Sequence, residues 1–93
     1  MMFVYVLRSL RDRRRYVGIT FDVEKRLRQD NRGEVTSTKG RRPLVLIHYE
    51  ETADVAGARI REKYFKTAAG RRYLDGLDCK MTAQLVTRPT ERY

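Results

Sequence analysis

The stretch FVYVLRSLRDRRRYVGIT, residues 3–20, decides the fold. Its first part, Phe3–Leu7, is apolar throughout and includes two valines, a pattern that is typical of a strand buried on both faces. A second strand is predicted from Arg15 to Thr20. Because the segment between the two runs is polar and centred on Asp12, the stretch predicts a β-hairpin with a basic tip.

A helix is predicted directly after this hairpin, over the segment DVEKRLRQDNRG. Asp22 is suited to cap this helix or to lie in its first turn, where the helix dipole favours a negative charge. Val23 and Leu27 are four residues apart and therefore share one face. Gly33 is a suitable C-terminal stop.

One more strand and one more helix are predicted downstream. The short apolar run Leu44–Glu50 lies between loop signals and is interpreted as a strand. The second helix is expected to begin near Thr52 or Asp54 and to end at about Lys66 or Thr67. The order β-β-α-β-α predicts an α/β (α+β) domain built on a small sheet.

The buried face of the second helix is left open by the sequence, because two stripes have helical spacing. They are Val55, Ala58, Glu62 and Phe65 on one side, and Ala56, Ile60 and Tyr64 on the other. After this helix we predict a break at Gly70, followed by at most one more turn.

Length and composition predict one soluble domain. The 93 residues are divided into a domain at 1–78 and a weakly ordered or loosely docked tail at 79–93. A single cysteine excludes an internal disulfide, and one histidine with one cysteine cannot form a structural zinc site. No apolar run approaches the ~20 residues that span a bilayer, and no signal peptide is recognisable. We therefore expect a cytoplasmic protein without a membrane partner.

The net charge of +9 indicates a polyanionic partner, because Lys and Arg number 21 against 12 Asp and Glu. Arginine outnumbers lysine, and its planar guanidinium suits bidentate contact with phosphate. Nucleic acid is the first hypothesis. A basic surface that serves solubility or association with the ribosome is the alternative.

Two charged residues are predicted beside the sheet. Glu62 faces the core if its stripe does, and a buried carboxylate is costly unless an arginine, a metal ion or strong donors satisfy it. Arg26 lies at the margin of the inner face of the first helix. The two are interpreted either as a structural ion pair or as a metal ligand and a phosphate clamp.

The order of several motifs resembles the GIY-YIG nuclease domain, in particular the small stand-alone bacterial proteins that carry it. These motifs are VYV at 4–6, YVG at 16–18 followed by DVEKRL, STKGRRPLVLIHYEE at 37–51, and ARIREKYFKTAAGRRYL at 58–74. More distantly, the chain is similar to the amino-terminal domain of excinuclease C and to phage homing endonucleases. The resemblance covers residues 3–75.

The resemblance implies a three-stranded antiparallel sheet flanked by helices and an endonuclease that cuts DNA with Mg²⁺ or Mn²⁺. The catalytic residues of the family fall on Tyr5, Tyr16, Arg26 and Glu62, of which Glu62 is the metal ligand. Gly18 matches the glycine that permits close approach. Arg26 would stabilise developing negative charge, Tyr16 would orient or deprotonate water, and Tyr5 would hold the water or the phosphate.

Asp30 departs from the family pattern, which often has a histidine one turn after the helix arginine. As a surface pair with Arg26 it would contribute under ~1 kcal/mol. It could also reduce the availability of Arg26, act as a second carboxylate near the metal, or face solvent. The alternative function is therefore an attenuated module that binds DNA or structured RNA on the same scaffold.

Further contacts with nucleic acid are expected from basic residues in the hairpin tip and in the loop after the first helix. They are Arg14, Arg15, Lys39, Arg41 and Arg42. The sequence does not distinguish single-stranded, branched and duplex DNA, and it leaves the oligomeric state open. A role in DNA repair, recombination or processing would fit such an enzyme.

Overall fold

The computed structural model describes the backbone of residues 1–87 and the side chains of residues 1–77. The elements follow the order β1 (Met2–Ser9), β2 (Arg15–Thr20), α1 (Val23–Asn31), β3 (Leu44–Thr52), α2 (Val55–Phe65) and α3 (Ala68–Thr87). A one-turn 3₁₀ helix, Lys39–Arg41, interrupts the long connection between α1 and β3. No helix within this part of the chain is long and apolar enough to cross a bilayer.

The sheet is antiparallel and has the order β2-β1-β3, so the hairpin strand β1 lies in the middle. This confirms the prediction of a strand buried on both faces. β1 and β3 both extend beyond their predicted ends because they pair along their whole length, from Met2 opposite Thr52 to Ser9 opposite Leu44. β2 has the predicted bounds and forms an edge of the sheet.

Helices cover both faces of the sheet. On one face Val4 and Val6, both fully buried, pack in a core with Phe65 of α2 and Leu74 of α3. On the other face a smaller cluster, in which α1 supplies Val23 and Leu27, packs around β1. The sheet therefore lies between α1 and the pair α2 and α3.

The buried stripe of α2 is the one that contains Ala58, Glu62 and Phe65. Ala58 and Phe65 are buried, whereas Ile60 of the competing stripe is 71% exposed. Val55 departs from the predicted stripe, because it lies in the first turn and is exposed. The choice of face places Glu62 toward the sheet and partly covers it.

The predicted helix ends are confirmed by local contacts. The carboxylates of Asp22 and Asp54 accept hydrogen bonds from the backbone N–H of Lys25 and Gly57 at 3.1 and 2.8 Å. α1 ends at Asn31, and Gly33 follows two residues later. Its φ of 81° lies in the left-handed region that glycine adopts without steric cost.

The predicted break at Gly70 is wrong, since Gly70 lies inside α3 and the helix continues to Thr87. A Cβ at this position would collide with the carbonyl oxygen of Tyr64, so the glycine permits close packing of α3 against the end of α2. The backbone of residues 79–87 belongs to this helix, and residues 88–93 lie outside the described residues. The division into a domain and a loosely docked tail stays a prediction.

The hairpin tip packs against the 3₁₀ turn, and Ser9 makes the connection. Its fully buried hydroxyl donates a hydrogen bond to the carbonyl oxygen of Arg41 at 2.6 Å. Ser9 Oγ in turn accepts hydrogen bonds from the backbone N–H of Arg11 and Asp12 at 3.1 and 3.2 Å. Two segments that are about thirty residues apart in the chain are thereby held together beside β2.

Candidate active site

A cavity of about 730 Å³ follows the edge strand β2 and is lined from both sides of the sheet. Tyr5, Tyr16 and Gly18 line it from the sheet, and Arg26 and Asp30 line it from α1. The structure therefore brings together three of the four predicted catalytic residues and both residues predicted to lie beside them.

Tyr5 and Gly18 are direct cross-strand partners in the β1–β2 ladder. A Cβ on Gly18 would lie 2.6 Å from the hydroxyl oxygen of Tyr5, which is closer than two non-bonded atoms approach. The aromatic ring of Tyr5 consequently lies over the backbone of its neighbour, where only glycine leaves room for it. The glycine of YVG serves to place the tyrosine of VYV.

The Tyr5 hydroxyl is kept neutral by its surroundings. Burial raises its pKa above the ordinary value of 10.0, and the nearby carboxylates of Asp30 and Glu62 add to this effect. The guanidinium of Arg26 opposes it. At neutral pH Tyr5 therefore presents an O–H donor to the cavity.

Arg26 and Asp30 form an ion pair that lacks good hydrogen-bond geometry. Arg26 Nε lies 3.5 Å from Asp30 Oδ2, and neither of these buried atoms has a hydrogen-bond partner within the described residues. The other carboxylate oxygen, Oδ1, accepts a hydrogen bond of 2.5 Å from the hydroxyl of Thr38. Asp30 is 1% exposed, so the interpretation as a surface pair or as a solvent-facing side chain is wrong.

Tyr16 lines the cavity and donates its hydroxyl hydrogen away from it. The acceptor is Asp12 Oδ2 at 3.2 Å, in the hairpin tip. Asp12 is also bound by the guanidinium of Arg41 and by the backbone N–H of Arg14. The backbone hydrogen bond from Arg14 is the main cause that holds the pKa of Asp12 below its ordinary value of 3.8.

Glu62 does not belong to the lining of the cavity but lies close to it. Its charge contributes to the raised pKa of Tyr5, and α2 packs on β1 and β2. The side chain is 23% exposed, and among the described residues its one hydrogen bond is with Lys66 Nζ at 3.5 Å. Glu62 is thus a weakly engaged carboxylate beside the tyrosines.

Many cationic side chains line the cavity. Some of them belong to the residues that were predicted to bind nucleic acid. Arg14 and Arg15 line it, together with Arg13, Lys66 and Arg71. Arg15 Nη1 also lies 2.8 Å from a carboxylate oxygen of Asp75 in α3. The basic tip of the hairpin therefore contributes charge directly to the site.

The other predicted binding residues lie in and just after the 3₁₀ turn, outside the lining of the cavity. Arg42 Nε donates a hydrogen bond of 2.8 Å to the backbone carbonyl oxygen of Lys39. Arg41 Nε lies 3.1 Å from Asp12 Oδ2. The cations of the hairpin tip therefore line the cavity, whereas those of the loop at 39–42 do not.

Two contacts at the candidate site do not follow from the sequence. Asp12 was identified only as the centre of a turn, and Thr38 was not singled out at all. An acidic residue between four arginines in the tip is the one signal that pointed to Asp12. The partner of Thr38 could not be found in this way, because the contact with Asp30 depends on the path of the loop after α1.

The chain is similar to several known proteins. A family model described as the GIY-YIG catalytic domain matches residues 1–74. The chain is similar to a UPF0213 protein of Syntrophus aciditrophicus, with 38% identity over 66 residues that cover 69% of this chain and 75% of that protein. A UPF0213 protein of Haloquadratum walsbyi is 38% identical over 66 residues, covering 70% and 73%. One of Clostridium perfringens is 36% identical over 67 residues, covering 71% of each. No solved structure matches the chain.

Proposed function

This chain belongs to the GIY-YIG family, and on that premise we propose that it is an endonuclease that hydrolyses DNA phosphodiester bonds with Mg²⁺ or Mn²⁺. The observation that carries the proposal is the convergence of Tyr5, Tyr16 and Arg26 on one cavity with a cationic lining. The enzyme would act in DNA repair, recombination or processing.

The side chains of the cavity have distinct roles in this proposal. Arg26 binds the phosphate and stabilises the negative charge that develops on it, since its partly exposed side chain lines the cavity. Tyr5, neutral at pH 7, donates a hydrogen bond to a phosphate oxygen. Tyr16 contacts the attacking water.

The donor set fits a divalent cation that takes most of its ligands from water and substrate. No group of three His, Cys, Asp or Glu side chains that could hold a metal occurs among the described residues. Mg²⁺ usually keeps several waters and binds one or two carboxylates together with substrate phosphate, so Glu62 alone is a sufficient protein ligand. The bound ion would polarise the phosphate and stabilise the leaving oxygen.

The DNA backbone is proposed to follow the cations beside the cavity. Arg14 and Arg15 would contact the phosphates next to the cleaved bond. The 3₁₀ turn with Lys39 and Arg41, continued by Arg42, would extend this track. Such contacts are independent of sequence, and binding would weaken as the salt concentration rises.

Cleavage assays test the proposal directly. The purified protein is incubated with single-stranded, branched and duplex DNA in Mg²⁺ or Mn²⁺, with EDTA as the metal-free control. We expect cutting that EDTA abolishes. Glu62→Ala should lose cutting and keep its affinity for DNA, whereas Glu51→Ala, at an exposed position of β3, should behave like the wild type.

An attenuated binding module is the second candidate, and the pairing of Arg26 with Asp30 favours it. A carboxylate 3.5 Å from the arginine offsets part of the charge that a phosphate would need. In this case the wild type binds DNA or structured RNA without cutting, binding is sensitive to salt and indifferent to metal, and Asp30→His restores cutting. If neither protein cuts any substrate, the nuclease proposal fails for those substrates.

A further inference from the structure

Asp12 connects three parts of the molecule without lining the cavity. Its Oδ2 accepts a hydrogen bond from the hydroxyl of Tyr16 at 3.2 Å and pairs with Arg41 Nε at 3.1 Å. Its Oδ1 accepts the backbone N–H of Arg14 at 2.9 Å, which stabilises the hairpin turn. Both carboxylate oxygens are therefore engaged, and each has a different task.

This arrangement determines what Tyr16 offers to the cavity. A phenol carries a single O–H donor, and that hydrogen is directed to Asp12. The lone pairs of the Tyr16 oxygen remain available on the side of the cavity, so Tyr16 acts there as an acceptor. Tyr5 acts as a donor, and the two tyrosines therefore have opposite hydrogen-bonding characters in one cavity.

The ionised state of Asp12 keeps this direction fixed. The backbone N–H of Arg14 and the Ser9 and Tyr16 hydroxyls hold the pKa of Asp12 below 3.8, and the charge of Arg41 has the same effect. These are the groups that face Asp12 from the hairpin tip and from the 3₁₀ turn. At neutral pH the carboxylate has no proton to donate, so it can only accept the hydrogen of Tyr16.

We propose that Asp12 is a positioning residue for phosphodiester hydrolysis, because it aims the acceptor side of Tyr16 at the attacking water. The inference rests on the proposed nuclease function. In the reaction the water oxygen bonds to phosphorus, the bond from phosphorus to the leaving sugar oxygen breaks, and the proton released by water ends on that leaving oxygen. Asp12 keeps its charge throughout and exchanges no proton with the substrate.

Asp12→Asn is the decisive variant because it changes one atom. The amide keeps an oxygen for the N–H of Arg14 and replaces Oδ2 with an NH₂ donor. Tyr16 then has to accept from the amide, and its own hydrogen turns toward the cavity. We expect kcat to fall about tenfold to a hundredfold with KM and the melting temperature near those of the wild type. Glu51→Gln, an exposed carboxylate-to-amide change, should leave both kinetic constants unchanged.

Two further variants separate Tyr16 from the other partners of Asp12. In a Tyr16→Phe background, Asp12→Asn should have no additional effect on kcat, because the hydroxyl through which it acts is gone. Arg41→Ala, which removes the second partner of Oδ2, should raise KM more than it lowers kcat.

The outcomes distinguish the inference from the function on which it rests. If the wild type cleaves and Asp12→Asn cleaves equally well, the positioning role is refuted and the nuclease function stands. The role is also refuted if the two changes multiply in the double variant, or if Arg41→Ala reproduces the whole loss of kcat. If the wild type cleaves no DNA, the proposed function fails and the inference fails with it.

Discussion

Two arginine–carboxylate pairs lie on opposite faces of the sheet and differ in their hydrogen-bond geometry. Arg61 of α2 binds Glu50 of β3 through two hydrogen bonds, of 2.7 and 3.1 Å, and its guanidinium lies 4.5 Å from the ring centre of Tyr64. Arg26 approaches Asp30 only to 3.5 Å, and the two facing atoms make no hydrogen bond within the described residues.

On the proposed function, this difference distinguishes a structural pair from a pair that binds substrate. His48 Nε2 completes the first pair at 2.8 Å from Glu50 Oε2, so its polar atoms are satisfied within the protein. In the second pair the two facing atoms are buried without a hydrogen bond among the described residues, and both side chains line a cavity. Such unsatisfied buried groups are costly. On the proposed function, similar residue types therefore serve stability in one place and binding in the other.

Among the variants of the two pairs, Arg26→Ala is expected to have the largest effect, which is on the rate of cleavage. Without the guanidinium the developing charge on phosphate loses its stabilising partner, and we expect cleavage to fall by about 10²–10³-fold. Single-turnover cleavage with excess enzyme measures the effect, and circular dichroism checks that the variant is folded at the assay temperature. Arg28→Ala, in the same helix at an exposed position, is the matched control. Equal losses in both variants would contradict a specific role for Arg26.

Gly18→Ala tests whether the shape of the cavity depends on the cross-strand contact with Tyr5. The added methyl group would lie 2.6 Å from the Tyr5 oxygen, so the ring has to move. We expect a tenfold or greater loss of cleavage and a loss of about 1–3 kcal/mol in the free energy of unfolding. Urea titration provides the second value.

The control for this change is Gly76→Ala, where a Cβ meets no atom within 4 Å. Because Gly76 lies inside α3, alanine should raise the free energy of unfolding by up to about 1 kcal/mol. Destabilisation of the same size at both positions would show that steric conflict with Tyr5 is not the cause.

Arg61→Ala should show the reverse pattern, with lower stability and normal chemistry. It leaves Glu50 partly buried without its bidentate partner, so we expect a loss of about 1–3 kcal/mol in the free energy of unfolding. Cleavage per folded molecule should remain at the wild-type value. Arg59→Ala, on the exposed face of the same helix, should change neither. If Arg61→Ala lowered cleavage without lowering stability, the Arg61–Glu50 pair would not be the structural one.

The smallest effect concerns the pH dependence of stability. The hydrogen bond from Arg61 holds the pKa of Glu50 below its ordinary value of 4.5. The stabilisation is therefore complete above about pH 4.5, which is the unfolded-state pKa, and is lost as the pH falls through the lower folded-state pKa. Glu50→Gln should flatten the fall in unfolding free energy between about pH 5 and pH 3, measured by urea titration. An unchanged slope would contradict this, and Glu51→Gln is the control.

Much of the architecture followed from local pattern. The bounds of β2, a cap or first-turn position for Asp22 and the stop at Gly33 were predicted, because each depends on contacts within one turn or on the φ of one residue. The start of α2 was predicted near Thr52 or Asp54, and the structure selects Asp54 as its cap. The burial of β1 on both faces was predicted from its unbroken apolar run. The spaced motifs indicated the family, which the match over residues 1–74 establishes.

Contacts between distant segments were decided only by the tertiary structure. Asp30 contacts Thr38 because the loop after α1 folds back toward the helix. At Gly70 the close approach of α2 leaves no room for a side chain, so this glycine lies inside α3 and does not mark a break. The hydrogen bond from Tyr16 to Asp12 depends on the shape of the hairpin tip, where Arg13 adopts a φ of 66°.

The sequence by itself therefore determined most of the secondary structure and the chemical groups of the candidate site. It did not determine which atoms of those groups are already engaged. Periodicity reports which face of an element is apolar, whereas the direction of a hydrogen bond depends on atoms from several elements. That is why Asp30, for which a surface position was one interpretation, lies in the interior, and why Tyr16 faces the cavity with an acceptor rather than a donor.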